Sequence, residues 1–338
     1  MIGGYGAVGQ HVVDHVCQAP GGPPVLIPGR SGDRAKALAA THGERASGAA
    51  LDVRDPEATR RAVAAARLVV LTTEIGTTDV ARTCAAGGVS MVSVAASVGV
   101  LRRIEALEDE ARSSEATLAV EVGLAAGLMN IVARNLLRAC PEADRLDLVL
   151  ELGFVGRDGP EAVTRSLAQA AGADGVETLD LPAPMGRLRG IPVAYLDPER
   201  AAERLGVRKM RSYLALRPAW LTAWLPALVT TLVPRTRLVH GAAGAASRLV
   251  TLLWHPGEMV RLIAYAHGTD GGTVAMIEGH DQSRITGVVA AETAIALLRG
   301  DVPVGVRGMA DILSLRELEN SLDRIGCRIT GVGEEKRF

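Results

Sequence analysis

Aromatic residues are scarce in this chain of 338 residues: two Phe, three Trp and four Tyr. That leaves little with which to stack nucleic-acid bases. A surplus of charge is also missing, since 37 Lys and Arg face 38 Asp and Glu for a formal net charge of -1. A dedicated nucleic-acid binder needs a basic face, so no nucleic-acid partner is expected. Lysine is limited to Lys36, Lys209 and Lys336, and arginine supplies the remaining basic charge. This bias fits a GC-rich genome better than a chemistry. The four cysteines, Cys17, Cys84, Cys140 and Cys327, stand far apart with no C-x-x-C. They read as reduced core thiols of a cytoplasmic protein. No histidine stands in an H-E-x-x-H pattern, and no metal site is expected. The absence of a G-x-S-x-G elbow counts against a hydrolase. No basic start leads into an apolar core, so no signal peptide is expected. Residues 213–233 are apolar over about a bilayer's thickness, but Arg217, Pro218 and Pro226 interrupt them. Two short buried helices are expected there, without stable membrane insertion.

What is present is small and aliphatic. The chain is 48% hydrophobic and holds 38 glycines. Its length predicts about two domains, each with apolar side chains enough for a core. The first residues read MIGGYGAVGQHVVDHV, with Gly4, Gly6 and Gly9 in G-x-G-x-x-G spacing and Tyr5, Ala7 and Val8 between them. In that pattern the first glycine permits a tight turn and the second lets backbone approach a pyrophosphate. The third lets helix and strand pack closely, while the helix start offers free N–H groups to the phosphates. Apolar runs at Val25–Ile27, Ala49–Leu51, Leu68–Thr73 and Ser90–Val94 alternate with helical patterns at 33–41, from 55 onward and around 78–87. Asp55-Pro56-Glu57 predicts a capped helix start. The alternation predicts an α/β fold: a Rossmann-type doubly wound parallel sheet. Only Met1 and Ile2 precede the glycine loop, fewer than the usual five residues of a central first strand, so either the start lies upstream or the strand is truncated.

After the second run stand Arg30 and Ser31 where an NAD-binding domain carries a carboxylate. An arginine there pairs with a 2′-phosphate and favours NADP. Asp52, after the third run, is a candidate for the adenine side or a plain turn residue, and Thr72 and Thr73 end the fourth.

GGYGAVGQ, PGRSGDRAKALAA, the segment 65–94, EVGLAAGLMNIVARNLL at 121–137 and the stretch 279–326 together resemble the saccharopine dehydrogenase-like oxidoreductases. The resemblance implies a Rossmann domain binding NADP (NADPH), an inserted α+β substrate domain of mixed sheet, and C-terminal helices that return to the first domain. It implies boundaries of 1–125 plus 285–330 for the cofactor domain and 126–284 for the substrate and dimerisation domain, with 331–338 a tail. It also implies hydride transfer to a C=N, C=C or C=O bond of a small biosynthetic molecule, with secondary metabolism the expected setting. The chain departs from the family at Ala126, where many members carry Pro, and at Thr72–Gly76, where a Gly-Pro pair is usual. No lysine–histidine catalytic pair carries over.

In the substrate region, 146–155 alternates as a half-buried strand, with Leu146, Leu148, Leu150, Leu152 and Phe154 on one face. Residues 160–171 read as a helix with Thr164 and Ser166 near its start, and 193–196 as a short strand. Met259–His267 and Thr273–His280 read as a hairpin whose first strand carries Arg261, Ile263, Tyr265 and His267 on one face. Tyr265, His267 and His255 are the candidate proton donors. Gly123, Gly127, Asn130, Thr164, Ser166 and Arg261 are the candidate substrate residues, with Arg261 available to an anionic group. A pocket between the domains for an apolar or mixed substrate, and a homodimer, complete the expectation. The competing reading is a Rossmann-like cyclase, isomerase or non-catalytic partner that has lost redox function.

Overall fold

The computed structural model describes residues 1–153, 175–182, 185–194, 198–224, 259–268 and 271–331. They form two units, Met1–Leu128 with Ser283–Ser321, and Met129–Gln282 with the residues from Leu322 on.

In the first unit short aliphatic strands alternate with helices: α1 (Ala7–Gln18), β1 (Val25–Gly29), α2 (Gly32–Ala40), β2 (Ala46–Ala50), α3 (Pro56–Ala64), β3 (Leu68–Leu71), α4 (Thr77–Gly87), β4 (Ser90–Ser93), α5 (Val98–Glu105), α6 (Glu108–Ser113) and β5 (Thr117–Val120). The start of α3 follows from its sequence. The Asp55 carboxylate accepts the N–H groups of Glu57 and Ala58, both at 3.0 Å, and Pro56 takes the first helical position, where no N–H is needed. β3, β4 and β5 are buried runs such as Val69, Leu71, Met91 and Leu118, as strands covered on both faces must be. Ile2 pairs parallel with Leu71, and the Met1 amine donates to the Leu26 carbonyl at 2.8 Å. This two-residue stub stands between β1 and β3.

The second unit begins with α7 (Met129–Ala139) and continues with β6 (Arg145–Gly153), β7 (Glu177–Leu181), β8 (Gly186–Pro192), α8 (Pro198–Leu205), β9 (Lys209–Arg217), β10 (Met259–Gly268) and β11 (Gly271–His280). The chain then forms α9 (Gln282–Arg299), β12 (Gly305–Gly308), α10 (Met309–Ile312), α11 (Leu315–Arg324) and β13 (Arg328–Thr330). β12 pairs parallel with β5 and extends the first unit's sheet, in the order β12-β5-β4-β3. β13 instead pairs with β11 in the second, seven-stranded sheet, ordered β13-β11-β10-β6-β9-β8-β7. The reading of the sequence assigns those last residues to the first domain. The large sheet is mixed: β6 and β9 run parallel and the remaining pairs antiparallel.

Three expectations need correction. β6 is not half-buried, because Asp147, Val149 and Glu151 on its second face are buried as fully as its leucines; their ion pairs make that possible. Residues 213–217 are not helical but end β9, while 219–224 turn into a helix on which Trp220 and Trp224 are 52% and 66% exposed, and 225–233 lie outside the described residues. Of the strand expected at 193–196, Val193 and Ala194 lie beyond the end of β8 at Pro192, and 195–196 lie outside the described residues. The expected helix at 160–171 lies outside the described residues.

Within the first unit α9 crosses α1 closely. A Cβ at Gly287 would lie 2.5 Å from the Cβ of His11. Five residues on, Glu292 accepts from His15 at 2.9 Å and from the Ser321 hydroxyl. The His15 hydrogen bond holds the Glu292 carboxyl below its ordinary 4.5, against the opposite pull of burial. A lowered carboxylate pKa stabilises the fold above its unfolded value and loses that contribution as pH falls through the folded value. Glu292→Gln is therefore expected to cost about 1–3 kcal/mol at neutral pH, with the gap to wild type closing below pH 4.5. Thermal unfolding of both proteins across that range checks it.

Candidate functional site

The glycine loop lies at the carboxyl edge of the first sheet. Gly6 N–H donates to the Gly3 carbonyl at 2.9 Å, and Gly6 is the N-cap of α1. No side chain caps this helix and no acid stands in its first turn, so its opening N–H groups and dipole are left for an anion. The glycines divide the work differently from the spacing argument. The sharp turn is at Gly3, with φ +81°, where a Cβ would lie 2.7 Å from Thr72 Oγ1. Gly4 instead allows close packing, since a Cβ there would lie 2.7 Å from Ile27 Cγ2. A Cβ at Gly9 would fall 2.1 Å from the Gly3 carbonyl oxygen, which no side chain can accommodate. Ala7 and Val8 open the helix on this cradle.

The neighbouring strand ends meet at the same edge. Ser31 caps α2, its hydroxyl accepting from Arg34 N–H at 3.3 Å, and its own N–H donates to the Tyr5 hydroxyl at 3.3 Å. Arg30 is exposed. Asp52 is held by Arg54, with contacts of 2.7–3.2 Å. Those bonds draw its carboxyl down to about 2. Thr72 donates to the Gly3 carbonyl at 3.1 Å, and Thr73 accepts from Ile75 N–H at 3.2 Å, so both hydroxyls brace the loops around them. The sequence reading misses Glu74. Its carboxylate accepts from Ala96 N–H at 3.2 Å and ties the loop after β3 to the one after β4. An acid directly after an aliphatic strand is the signal that could have found it.

After β5 the backbone is strained. Glu121 has φ +55° and Gly123 φ +132°. Residues Leu124–Leu128 form a π-helical turn, with Leu128 N–H donating to the Gly123 carbonyl at 2.8 Å. Such turns recur at functional sites. Gly123 lies against Thr286, and a Cβ at Gly127 would meet the Glu121 carbonyl oxygen at 2.5 Å. Both glycines make room for the protein's own atoms. Asn130 lies one turn on, its Oδ1 buried without a hydrogen bond among the described residues.

The second unit brings together side chains that lie far apart in sequence. Asp147, 1% exposed, accepts from Arg145 at 2.9 Å and from Arg211 at 3.2 Å, and pairs with His267 at 2.6 Å. The Tyr265 and His267 rings are 4.2 Å apart, and Tyr265 lies flat on Gly272. Asp147 escaped the sequence reading because strand alternation alone turns it toward solvent. Arg261 is not available to an anion as expected: it pairs with Glu151 and Glu278, and the two carboxylates satisfy its charge. Thr164, Ser166 and His255 lie outside the described residues. His11 and His15 stand four apart on α1, a spacing the sequence reading passes over. His15 is taken by Glu292, and no group of three or more His, Cys, Asp or Glu could hold a metal among the described residues. No described helix is long and apolar enough to cross a membrane.

A glycine-cradled helix start at the carboxyl ends of parallel strands defines a Rossmann-type dinucleotide-binding domain. Residues 1–122 match the family model of the saccharopine dehydrogenase NADP binding domain. Residues 1–122 are thereby identified as an NADP-binding domain of the saccharopine dehydrogenase type. Its fold is similar to that of saccharopine dehydrogenase (L-Glu forming) from Saccharomyces cerevisiae, with a TM-score of 0.68, 14% identity, and coverage of 97% of this chain and 98% of that one. A looser likeness is to DAP dehydrogenase of C. glutamicum, with a TM-score of 0.49, 13% identity, and coverage of 96% and 97%. No curated protein sequence matches the chain.

The contact at Gly9 yields a direct test. Gly9→Ala must push α1 off the loop, and such overpacking costs about 1–3 kcal/mol. The variant is expected to melt lower and to lose most of its affinity for a nicotinamide dinucleotide, measured by thermal shift and fluorescence titration.

Proposed function

We propose that the chain is an NADP-dependent oxidoreductase acting on a C=N, C=C or C=O bond of a small apolar or mixed biosynthetic molecule. The observation that carries this reading is the uncapped start of α1 above Gly3, Gly6 and Gly9, where a Cβ would fill the cradle. The residues fit the cofactor. Ala7 and Val8 would offer N–H groups to its pyrophosphate, and Arg30 and Ser31, neither of them a carboxylate, favour a 2′-phosphate. When bound, the cofactor supplies a hydride to the unsaturated carbon.

The heteroatom, or the second carbon of a C=C bond, then needs a proton. We assign its delivery to His267. Asp147 fixes the ring through Nε2, so that a proton is exchanged at the other nitrogen, and Arg145 and Arg211 keep the carboxylate in place. The Tyr265 ring, tilted against His267 with 4.2 Å between the ring centroids, restricts its rotation. The aliphatic and Trp-containing segment 213–233 supports the apolar substrate.

NADPH titration followed by fluorescence is the first test, and no binding at millimolar cofactor overturns the proposal. NADPH oxidation against a panel of ketones, enones and amine–oxo acid pairs then identifies the bond. With an active substrate, His267→Gln is expected to lower kcat about 100-fold or more with KM little changed. An unaltered kcat removes His267 from the proposal.

A further inference from the structure

Tyr5, the one bulky side chain between the loop glycines, is not turned into solvent. Its ring covers Gly29 at the end of β1 so closely that a Cβ there would lie 2.3 Å from the ring edge. Its hydroxyl accepts the Ser31 N–H, and the Arg34 guanidinium lies over its ring at 4.6 Å from the centroid. Arg34 N–H in turn binds the Ser31 hydroxyl. One aromatic side chain thus ties the phosphate loop, the end of β1 and the first turn of α2 into a single assembly.

The two arginines at this edge are not equivalent. Arg30 is near enough to Asp52 to contribute to drawing down its carboxyl, so part of its field is already answered. Arg34 lies over an uncharged ring. Its guanidinium keeps its charge there, and a guanidinium fork matches the oxygens of a phosphate monoester. Asp33, in the first turn of α2, opposes an anion at that helix end, so attraction must come from the arginines.

We propose that Tyr5 is a positioning residue that sets the preference for a dinucleotide bearing a 2′-phosphate by holding Arg34 at that position with its ring. The proposal rests on the reading of the first unit as a nicotinamide dinucleotide site. It adds that selectivity resides partly in the glycine loop, whose other residues would touch only the pyrophosphate that NAD and NADP share.

The test is the ratio of NADPH to NADH affinity, measured by titration on the full chain for wild type, Tyr5→Phe, Tyr5→Leu, Arg34→Gln and the Tyr5→Leu/Arg34→Gln double variant. Tyr5→Phe keeps the ring and is expected to stay within about threefold of the wild-type ratio. Tyr5→Leu and Arg34→Gln are each expected to lower it about tenfold, through NADPH alone, for a lost charge-assisted contact of ordinary strength. The double variant is expected to fall no further than either single one, because Tyr5 acts through Arg34. Arg34 is exposed, so its variant reports even if Tyr5→Leu does not fold. The proposal is overturned by an unchanged ratio in Arg34→Gln, by an equal loss of both cofactors in Tyr5→Leu, or by additive effects. A wild type that prefers NADH overturns it while leaving the dinucleotide site standing. A wild type that binds neither removes both.

Discussion

The first unit is organised around a contact with no room in it. Gly9 presses its backbone onto the carbonyl of Gly3 at a distance where a side-chain carbon would overlap. This seats the start of α1 directly over the turn at Gly3. The helix then points its unpaired N–H groups across the carboxyl edge of the sheet, where the loops after β1, β2, β3 and β4 also end. Thr72 secures the turn from β3, and α9 closes on α1 at Gly287 and Glu292. Displacing α1 by the width of a methyl group would disturb every one of these neighbours.

The second unit depends on a different constraint, the cost of burying charge. Asp147 and Glu151 lie on a strand whose two faces are both covered. An isolated carboxylate there would be strongly destabilising. Each is met by two arginines, Asp147 by Arg145 and Arg211 and Glu151 by Arg217 and Arg261, and Asp147 is also hydrogen-bonded to His267. Removing one partner from such a cluster is commonly worth about 3–5 kcal/mol, because the other charge is left behind. The same clustering fixes the orientation of the His267 ring through its contact with Asp147.

Much of the first unit is legible in the order of residues. The Asp55-Pro56-Glu57 cap, the buried aliphatic strands and the glycine loop are local patterns whose physics acts over a few residues. Their expected positions are met within one or two residues at β1, α3 and β4. The second unit is less legible. β7, β8 and β9 contain Arg, Asp and Glu among their apolar residues and carry no clear alternation. Their polar side chains find partners only across strands, as Arg211 finds Asp147 and Glu177. Arg261 looked like an anion holder because its two carboxylates are 110 residues upstream and 17 downstream.

By itself the sequence determined the alternation of strand and helix, the class of the first domain and the chemistry of its loop, because these follow from glycine, proline, capping groups and aliphatic runs acting on near neighbours. Tertiary structure decided which glycine makes the turn and that β13 joins the larger sheet. It also decided that Tyr5 reaches Arg34 and that Asp147 holds His267. These depend on close approach and charge pairing between residues distant along the chain, which no local pattern encodes.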